Sequence, residues 1–255
     1  MRFEKVIPTL KLRKYIKYFV ISESPEARTY KVLPSTNLVM GFQYRGRLSV
    51  VTNQSANLLS VAGITGLQNS FRMYRNSANT GTILVCFTET GAAKFIKTPL
   101  NELFDQSLPL EDLFAKTRIC VLEENLSKAR NDRQRIKIIE NFLWSRIVQK
   151  EDDELVANAV RLIRQANGSI KIKELNRRLF ISRSPLEKRF RSVVGTTPKK
   201  FAALVRVNSI LKNADKTKRL IELSYENSYF DQSHFIKDFK RFVGETPEKY
   251  FLNDD

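Results

Sequence analysis

The sequence is poor in the residues on which metal binding and acid–base catalysis most often depend. Among its 255 residues are one histidine, His234, and two cysteines, Cys86 and Cys120. Residues 1–150 contain no histidine, so a metal site built from several imidazole ligands is not expected there. The two cysteines fit no metal or redox spacing, and their apolar neighbours predict buried free thiols. We therefore expect neither a metal nor another cofactor.

Long apolar runs are missing as well. No window approaches the roughly 18 consecutive apolar residues of a membrane-spanning helix. The opening residues, MRFEKVIPTL, lack the apolar core of a signal peptide. Together with the free thiols, these absences predict a cytoplasmic protein without a membrane partner.

Acidic residues are outnumbered by basic ones. The sequence has 44 Lys and Arg against 27 Asp and Glu, which gives a net charge of +17. Such a balance favours a polyanionic partner, either nucleic acid or an anionic membrane surface. The excess is spread along the chain, so charge alone does not locate the binding surface.

The first ninety residues show the alternation of apolar and polar side chains that is typical of strands. It is clearest between Tyr30 and Val51, and a continuous apolar run, GTILVCFTETG, follows at 81–91. A short helical pattern, LRKYIKYF, covers residues 12–19. This part predicts an antiparallel β-barrel or sandwich.

After Gly91 the apolar pattern becomes helical. Short helices lead to a longer one with an apolar stripe from Ile136 to Ile147, which suits either a dimer interface or packing inside the chain. The acidic run EDDE at 151–154 is typical of a helix start. We therefore expect an α+β multidomain protein: a β-rich domain with following helices over residues 1–150, and an all-α domain over residues 151–255.

The last third of the chain contains a repeat. SRSPLEKRFRSVVGTTPKKF at 182–201 and DQSHFIKDFKRFVGETPEKYF at 231–251 align at an offset of 49 residues. Between Ser184 and Phe201, eight of the eighteen aligned positions are identical. A similarity of this extent is not expected by chance.

Each copy predicts one amphipathic helix with its ends marked. Apolar residues stand at i, i+4, i+7 and i+8, which predicts one buried face. An N-cap residue precedes each helix, glycine ends it, and proline begins the next one. The apolar residues are Leu186, Phe190, Val193 and Val194 in the first copy, and Phe235, Phe239, Phe242 and Val243 in the second. The caps are Ser182 and Asp231, the glycines Gly195 and Gly244, and the prolines Pro198 and Pro247.

A further short helical pattern precedes each of these helices, IKELNRRLF at 172–180 and RLIELSYEN at 219–227. A short helix, a tight turn and a cationic amphipathic helix predict a helix-turn-helix unit. Such a unit places its second helix in the major groove of DNA, with base contacts near its N-terminus and phosphate contacts from flanking basic residues. We assign Ser184 and Gln232 to bases and Arg191 and Lys240 to phosphate, whereas Lys188 and Lys237 suit either role.

The span from about Glu151 to Phe251 resembles the DNA-binding domain of the AraC/XylS family of transcription regulators. FDQSHFIKDFKRFVGETPEKYF at 230–251 matches the signature of that family's second unit, and LEKRFRSVVGTTPKKF at 186–201 matches the first. The resemblance implies two helix-turn-helix units joined by a long helix within residues 197–216, duplex DNA as the ligand and RNA polymerase as a further partner. It also implies base contacts near Arg183, Ser184, Glu187, Lys188, Gln232, Ser233 and Lys237.

A few positions depart from the family pattern. The family usually has glycine in each turn, where this chain has Phe180 and Ser228, and alanine in each first helix, where it has Asn176 and Ser224. Because such turns need a permissive backbone, the departures bear on the geometry of the turns. Ile236 faces outward, toward either a thymine methyl group or a neighbouring helix.

The N-terminal half resembles, more weakly, an uncharacterised sensor-like domain that precedes this DNA-binding domain in many bacterial regulators and is similar to cupin-type barrels. The resemblance implies a one-component regulator with a small-molecule effector. We also expect a homodimer, formed through the N-terminal domain or through the helix that carries the stripe from Ile136 to Ile147. Phe42, Tyr44 and Phe87 lie on predicted strands and suit either an effector cavity or, more readily, a packed core. The effector, the operator, and whether genes are activated or repressed are left open by the sequence.

Two other classes of function compete with a regulator. An enzyme with a nucleophile and a histidine would have to use His234, and a DNA-repair methyltransferase would need an activated cysteine, for which neither cysteine has the sequence context. A membrane-surface or RNA-binding protein would also be basic. The pair of helix-turn-helix units favours duplex DNA, and we expect no catalytic residue.

Overall fold

A computed structural model of the protein describes residues 1–52, 55–148, 151–213, 220–226, 229 and 231–252. Its strands up to Phe87 lie in the first ninety residues and its α-helices come later, as the sequence predicts. The strand Ser107–Pro109 differs from the prediction, because the sequence after Gly91 predicts only helices and this short segment instead pairs with the edge of a sheet. The strands are β1 (Arg2–Val6), β2 (Ile16–Ser24), β3 (Arg28–Val32), β4 (Val39–Arg45), β5 (Leu48–Val51), β6 (Ala56–Leu58), β7 (Ala62–Thr65), β8 (Arg72–Asn76), β9 (Thr80–Phe87) and β10 (Ser107–Pro109).

The strands pair in antiparallel order into two sheets. One has the order β1-β2-β9-β4-β7-β10 and the other β3-β8-β5-β6. Strand β9 is central in the first sheet and buried along nearly its whole length, which explains its continuous apolar run. Of the two architectures expected, the paired sheets fit a sandwich and not a closed barrel.

The helix predicted over residues 12–19 is wrong. Residues 10–15 form a turn, and β2 begins at Ile16. Leu12, Ile16 and Phe19 are all buried in one core, and the strand has a register shift between Ile16 and Tyr18. A bulge of this kind adds a residue to the strand, so that the buried positions imitate the spacing of a helix.

The α-helices are amphipathic and pack their apolar stripes inward. Helix α2 buries Ile139 and Leu143, so its predicted stripe packs inside the chain. The helices are α1 (Lys116–Lys128), α2 (Asp132–Trp144), α3 (Glu154–Gln165), α4 (Ile172–Arg178), α5 (Arg183–Val194), α6 (Pro198–Asn213), α7 (Leu220–Glu226), α8 (Gln232–Val243) and α9 (Pro247–Leu252).

The prediction of two buried thiols holds for only one cysteine. Cys86 on β9 is buried, whereas Cys120 on α1 is exposed. Its neighbour Ile119 takes the inward position on α1, and one residue turns an α-helix by about 100°. Apolar neighbours in sequence therefore do not bury a helical residue that points outward.

The described residues form two clusters of buried apolar side chains. The larger runs from the sandwich through α1 to α5 and includes one face of α6. The smaller contains another face of α6, with Leu204, Val207 and Ile210, and the apolar face of α8. The domain boundary near residue 151 remains a prediction, since α3, α4 and α5 pack in the same cluster as the sandwich. In the part of the chain described, no helix is long and apolar enough to cross a membrane.

Candidate nucleic-acid interface

The first predicted unit is α4, a short turn and α5. Helix α5 has Ser182 at its N-cap and stops at Gly195, whose φ of +94° is left-handed. Leu186, Phe190 and Val194 are buried, as predicted, and Val193 packs against the same cluster. The Ser182 side chain makes no capping hydrogen bond, so it has the position but not the interaction of an N-cap.

The second predicted unit is α7 and α8. Asp231 caps α8, since its Oδ1 accepts a hydrogen bond of 2.7 Å from the backbone N–H of His234. The helix stops at Gly244 with a φ of +91°. The predicted buried face is confirmed, with Phe235, Phe239, Phe242 and Val243 all buried. Ser228, at the predicted turn position, lies outside the described residues.

On α5 the predicted DNA-contacting side chains share the face opposite the core. Arg183, Ser184, Lys188 and Arg191 are exposed, and Glu187 is partly exposed. Arg183 Nε lies 3.6 Å from Glu187 Oε2. This pair places the carboxylate where it orients the guanidinium group and offsets its charge, a contact that the sequence analysis missed although the i, i+4 spacing would have indicated it.

On α8 the equivalent face is also open. Ser233, Lys237 and Lys240 are exposed, whereas Gln232 and Ile236 are partly buried. Ile236 therefore keeps both of its predicted alternatives. The structure thus brings each set of predicted residues onto one exposed helix face, with the cationic groups toward solvent.

Ion pairs hold the ends of the first unit in place. Hydrogen bonds from Arg177 and Arg178 lower the pKa of Glu174 to about 2, so this carboxylate offsets two cations on α4. Arg189 Nη2 lies 2.7 Å from Asp153 Oδ1, which ties α5 to the start of α3. Of the basic residues on α5, Arg189 is therefore engaged inside the chain and turned away from the predicted contact face.

The turn between α4 and α5 has an unusual residue. Phe180 has a φ of +51°, a left-handed conformation that glycine adopts more readily, and its side chain is 98% exposed. It borders an open groove whose other walls include Lys171, Lys173 and Ser182. Phenylalanine at this position therefore adopts the left-handed conformation that glycine adopts more readily, and its ring is placed in solvent.

The sandwich side chains considered for an effector cavity pack in the core. Phe42 and Phe87 are fully buried, and the Tyr44 hydroxyl donates a hydrogen bond of 2.9 Å to Glu23 Oε1. A cleft of about 400 Å³ lies elsewhere, between residues 88–90 and α3. Lys14, Arg161 and Arg164 face this cleft, and Arg164 is paired with Glu89.

The residues weighed for catalysis have structural surroundings. His234 lies at the exposed start of α8, with Nε2 3.7 Å from Asp238 Oδ2 and its ring against Tyr229. Burial raises the pKa of the Cys86 thiol to about 11, which disfavours the reactive thiolate. Among the described residues no cluster of three or more His, Cys, Asp or Glu side chains could hold a metal ion.

Comparison with known families gives two matches. A profile described as a helix-turn-helix domain matches residues 175–253, and one described as a domain of unknown function, DUF6597, matches residues 4–109. No curated protein matches the chain. The first match begins within α4 and covers the rest of both predicted units, and the second begins within β1 and covers the rest of the sandwich.

Solved structures give weaker similarities. ToxT from Vibrio cholerae shares 12% identity at a TM-score of 0.46, over 92% of this chain and 97% of that one. The AraC-like transcriptional activator CuxR shares 15% at 0.29, over 82% and 81%. The xylose-binding transcription activator xylR shares 25% at 0.35, over 48% of this chain and 38% of its own. At TM-scores below 0.5 these similarities carry no conclusion about the site.

Proposed function

We propose that this chain is a DNA-binding transcription regulator of the AraC type and that α5 and α8, which lie in the matched helix-turn-helix domain, are its two recognition helices. The supporting observation is their equivalence. Both helices end at a left-handed glycine, both bury the same apolar face, and both expose a lysine at the same position, Lys188 and Lys237. The two helices enter successive major grooves on one side of the duplex, about 34 Å apart.

The proposed roles follow from position along each helix. Ser184 and Gln232 lie in the first turn, so we assign them to base edges, together with Arg183, Glu187 and Ser233 nearby. Arg191 and Lys240 lie further along, where the groove wall presents phosphate. Lys188 and Lys237 lie between these groups and reach either.

A selection of duplexes from a random DNA pool supplies the test site. If Lys188 contacts a base, Lys188→Ala should cost about 1–3 kcal/mol on the selected duplex and relax preference at one position. If it contacts phosphate, binding should weaken on every duplex, and the salt dependence should fall by about one unit. The same assay on Lys237→Ala tests the second helix.

A matched control separates these effects from the loss of one positive charge. Lys137 is an exposed lysine on α2, far along the chain from both units. Lys137→Ala should leave binding close to that of the wild type. The proposal is wrong if Lys188→Ala and Lys237→Ala both bind the selected duplex as the wild type does at every salt concentration.

We also propose that the N-terminal half senses a small molecule. The observation that favours a location is the cleft between residues 88–90 of that half and α3, where the hydrogen-bond partners of Arg161 among the described residues, Asn158 and Gln165, are neutral. An anionic ligand would supply the missing charge. Thermal-shift measurements with a series of small carboxylates test this: Tm should rise with a ligand that binds there, and Arg161→Ala should remove the rise. Shifts that survive this substitution would place the effector elsewhere.

A homodimer, contact with RNA polymerase and the absence of enzymatic activity complete the proposal. The stripe on α2 is used inside the chain, which leaves half-exposed Trp144 and the sandwich surface as candidates for a dimer contact. Sedimentation velocity at tens of micromolar would contradict the dimer if it showed only a monomer.

A further inference from the structure

The two recognition helices end against the N-terminal half at equivalent positions of the repeat. Gly195 and Gly244, which align at the offset of 49 residues, both touch the N-terminal half at the C-terminus of their helix. A Cβ atom on Gly195 would lie 3.1 Å from the backbone oxygen of Leu100. On Gly244 it would lie 2.4 Å from Cε1 of Phe71, immediately before β8. The C-terminal end of each recognition helix is thus in contact with the N-terminal half of the chain.

The contact behind α5 is apolar and continuous with a core. Leu186, Phe190 and Val194 belong to the same buried cluster as Leu100 and Leu103. Just beyond α5, the Lys200 ammonium group lies 4.5 Å from the centre of the Phe104 ring. Moving α5 relative to the sandwich would therefore expose buried side chains, which makes its position rigid.

The contact behind α8 is smaller and depends on a charge pair. Lys31 Nζ on β3 lies 2.8 Å from Glu245 Oε1, the residue after Gly244, and 5.3 Å from the centre of the Phe71 ring. Both charged side chains are partly shielded, with 35% and 22% of their surface exposed. We call the contact of Lys31 and Phe71 with Gly244 and Glu245 the latch.

One further pair of contacts lies beside the latch. Asn208 on α6 donates a hydrogen bond of 3.1 Å from Nδ2 to the carbonyl oxygen of Pro34, and Leu33 packs against the smaller cluster. These contacts continue from the end of β3, the strand that carries Lys31. Among the described residues, the edge strand β3 with the segment that follows it, together with Phe71 immediately before the neighbouring strand β8, therefore contacts the second unit.

The repeat differs at the point where the latch forms. Glu245 aligns with Thr196, which is buried at 4% exposure and has no charge to pair. The second unit thus replaces an apolar contact with an ion pair. Partly exposed ion pairs contribute only modestly to stability and can be broken without exposing a core. Of the two contacts, the one behind α8 can therefore be broken more easily than the one behind α5.

The latch is distant from the base contacts proposed at the start of α8, whereas Lys240, assigned to phosphate, lies one turn before Gly244. Helix α8 has twelve residues, so its two ends are about 18 Å apart at 1.5 Å per residue. Lys31 and Phe71 therefore act on DNA binding through the position of α8 and not by touching a base. These two residues determine where α8 lies relative to α5, and the position of α5 is fixed by its packing in the larger core.

We propose that Lys31 and Phe71 are positioning residues that determine the half-site spacing this regulator accepts. The inference rests on the proposal that α5 and α8 are the recognition helices. With the latch closed, the sandwich holds both helices at one separation. With the latch broken, α8 is held to α5 mainly through α6 and its own small core, and it can follow a half-site displaced by one base pair, a rise of about 3.4 Å.

The test compares one protein on duplexes that differ only in spacing. A duplex selected from a random pool is prepared with one base pair inserted or removed between its half-sites, and the ratio of dissociation constants is measured for the full chain. Because a displaced half-site loses base contacts of one recognition helix, the wild type should discriminate by tenfold or more. Lys31→Glu, which places two carboxylates together, should reduce this ratio at least threefold, as should Phe71→Ala.

Charge exchange supplies the decisive comparison. Glu245→Lys alone should relax spacing, and Lys31→Glu combined with Glu245→Lys should restore it by reversing the pair. Taking a ratio for each variant cancels the general effect of net charge on DNA affinity, and Lys137→Glu is the control with the same charge change. Tm measured for each variant identifies any that do not fold, for which Glu245→Gln is the milder replacement.

The outcomes separate this inference from the proposed function. If the wild type selects no duplex, the proposed function fails. If it selects a duplex but accepts every spacing equally, or if Lys31→Glu and Phe71→Ala keep the wild-type ratio, the positioning role is overturned. Loss of discrimination in both single charge variants without recovery in the double variant also overturns it, because the pair would then not be the cause.

Discussion

The two helix-turn-helix units have similar sequences but different surroundings. Both contain an amphipathic helix of twelve residues that ends at a left-handed glycine. The first unit shares the large cluster of the sandwich, whereas the second has a small cluster of its own. The repeated residues therefore determine each helix and its ends, and the residues that are not repeated determine how firmly the unit is held.

Substitutions at equivalent core positions should produce the largest difference in stability between the two units. Phe190 and Phe239 align in the repeat and are both fully buried. Replacing either by alanine removes a large side chain from a packed core, which costs about 3–5 kcal/mol. Phe190→Ala should destabilise the sandwich and the first unit together, whereas Phe239→Ala should act on the second unit.

Hydrogen exchange resolved by region, alongside denaturant unfolding, checks this prediction. In Phe239→Ala, amides of α8 should lose protection while those of β9 keep it. In Phe190→Ala, β9 and α5 should lose protection to a similar degree. Equal loss across both units in both variants would mean that the chain unfolds as one cooperative unit, and the contrast between the clusters would then have no energetic meaning.

The helices that both units share could be predicted from the sequence, whereas contacts and irregularities found in only one place could not. Phe190 and Phe239 were assigned to buried faces correctly, because helical periodicity depends only on neighbouring turns. The spacing of Leu12, Ile16 and Phe19 imitated a helix because the turn at residues 10–15 and the register shift early in β2 bring all three side chains to one core. Nothing local indicated that Glu245 would meet Lys31, since that pair joins residues more than two hundred positions apart.

Substitutions at the two stop glycines test the surroundings of the helix ends. Both have φ near +90°, where a side chain costs roughly 1–2 kcal/mol. Gly195→Ala also presses on a backbone oxygen at Leu100, which cannot rotate away, whereas Gly244→Ala meets the ring of Phe71. We expect Gly195→Ala to be the more destabilising and Gly244→Ala to displace Phe71.

Thermal unfolding of both variants provides the measurement, with Gly244→Ala combined with Phe71→Ala as the control. Removing the ring should recover part of the loss caused by Gly244→Ala. An unchanged loss would mean that the backbone conformation alone accounts for the cost, and that Phe71 is not tightly fitted to the helix end.

The helix starts should show the opposite ranking. Asp231 accepts a hydrogen bond from the His234 backbone, while the side chain of Ser182 makes no such bond. Asp231→Ala should therefore cost about 1 kcal/mol, the usual value of an N-cap, and Ser182→Ala should change stability much less. Denaturant midpoints of the two variants, measured under the same conditions, show which substitution costs more stability. Equal losses would show that Ser182 caps α5 in solution.

The smallest expected effect has the opposite sign and concerns the turn of the first unit alone. Phe180 holds a left-handed backbone at φ of +51° with its ring 98% exposed, so the strain of that conformation is not offset by burial. Phe180→Gly should relieve about 1–2 kcal/mol of strain and lose part of this gain to the larger entropy of glycine in the unfolded chain, leaving a net stabilisation of about 0.5–1 kcal/mol. Phe180→Ala is the control, because it removes the ring but keeps the backbone strain, and its stability should stay near that of the wild type. A higher Tm for the glycine variant alone assigns the effect to the backbone. If both variants were less stable than the wild type, the exposed ring would be making a stabilising contact in solution. The stability of the first unit would then depend on the turn as well as on the core that it shares with the sandwich.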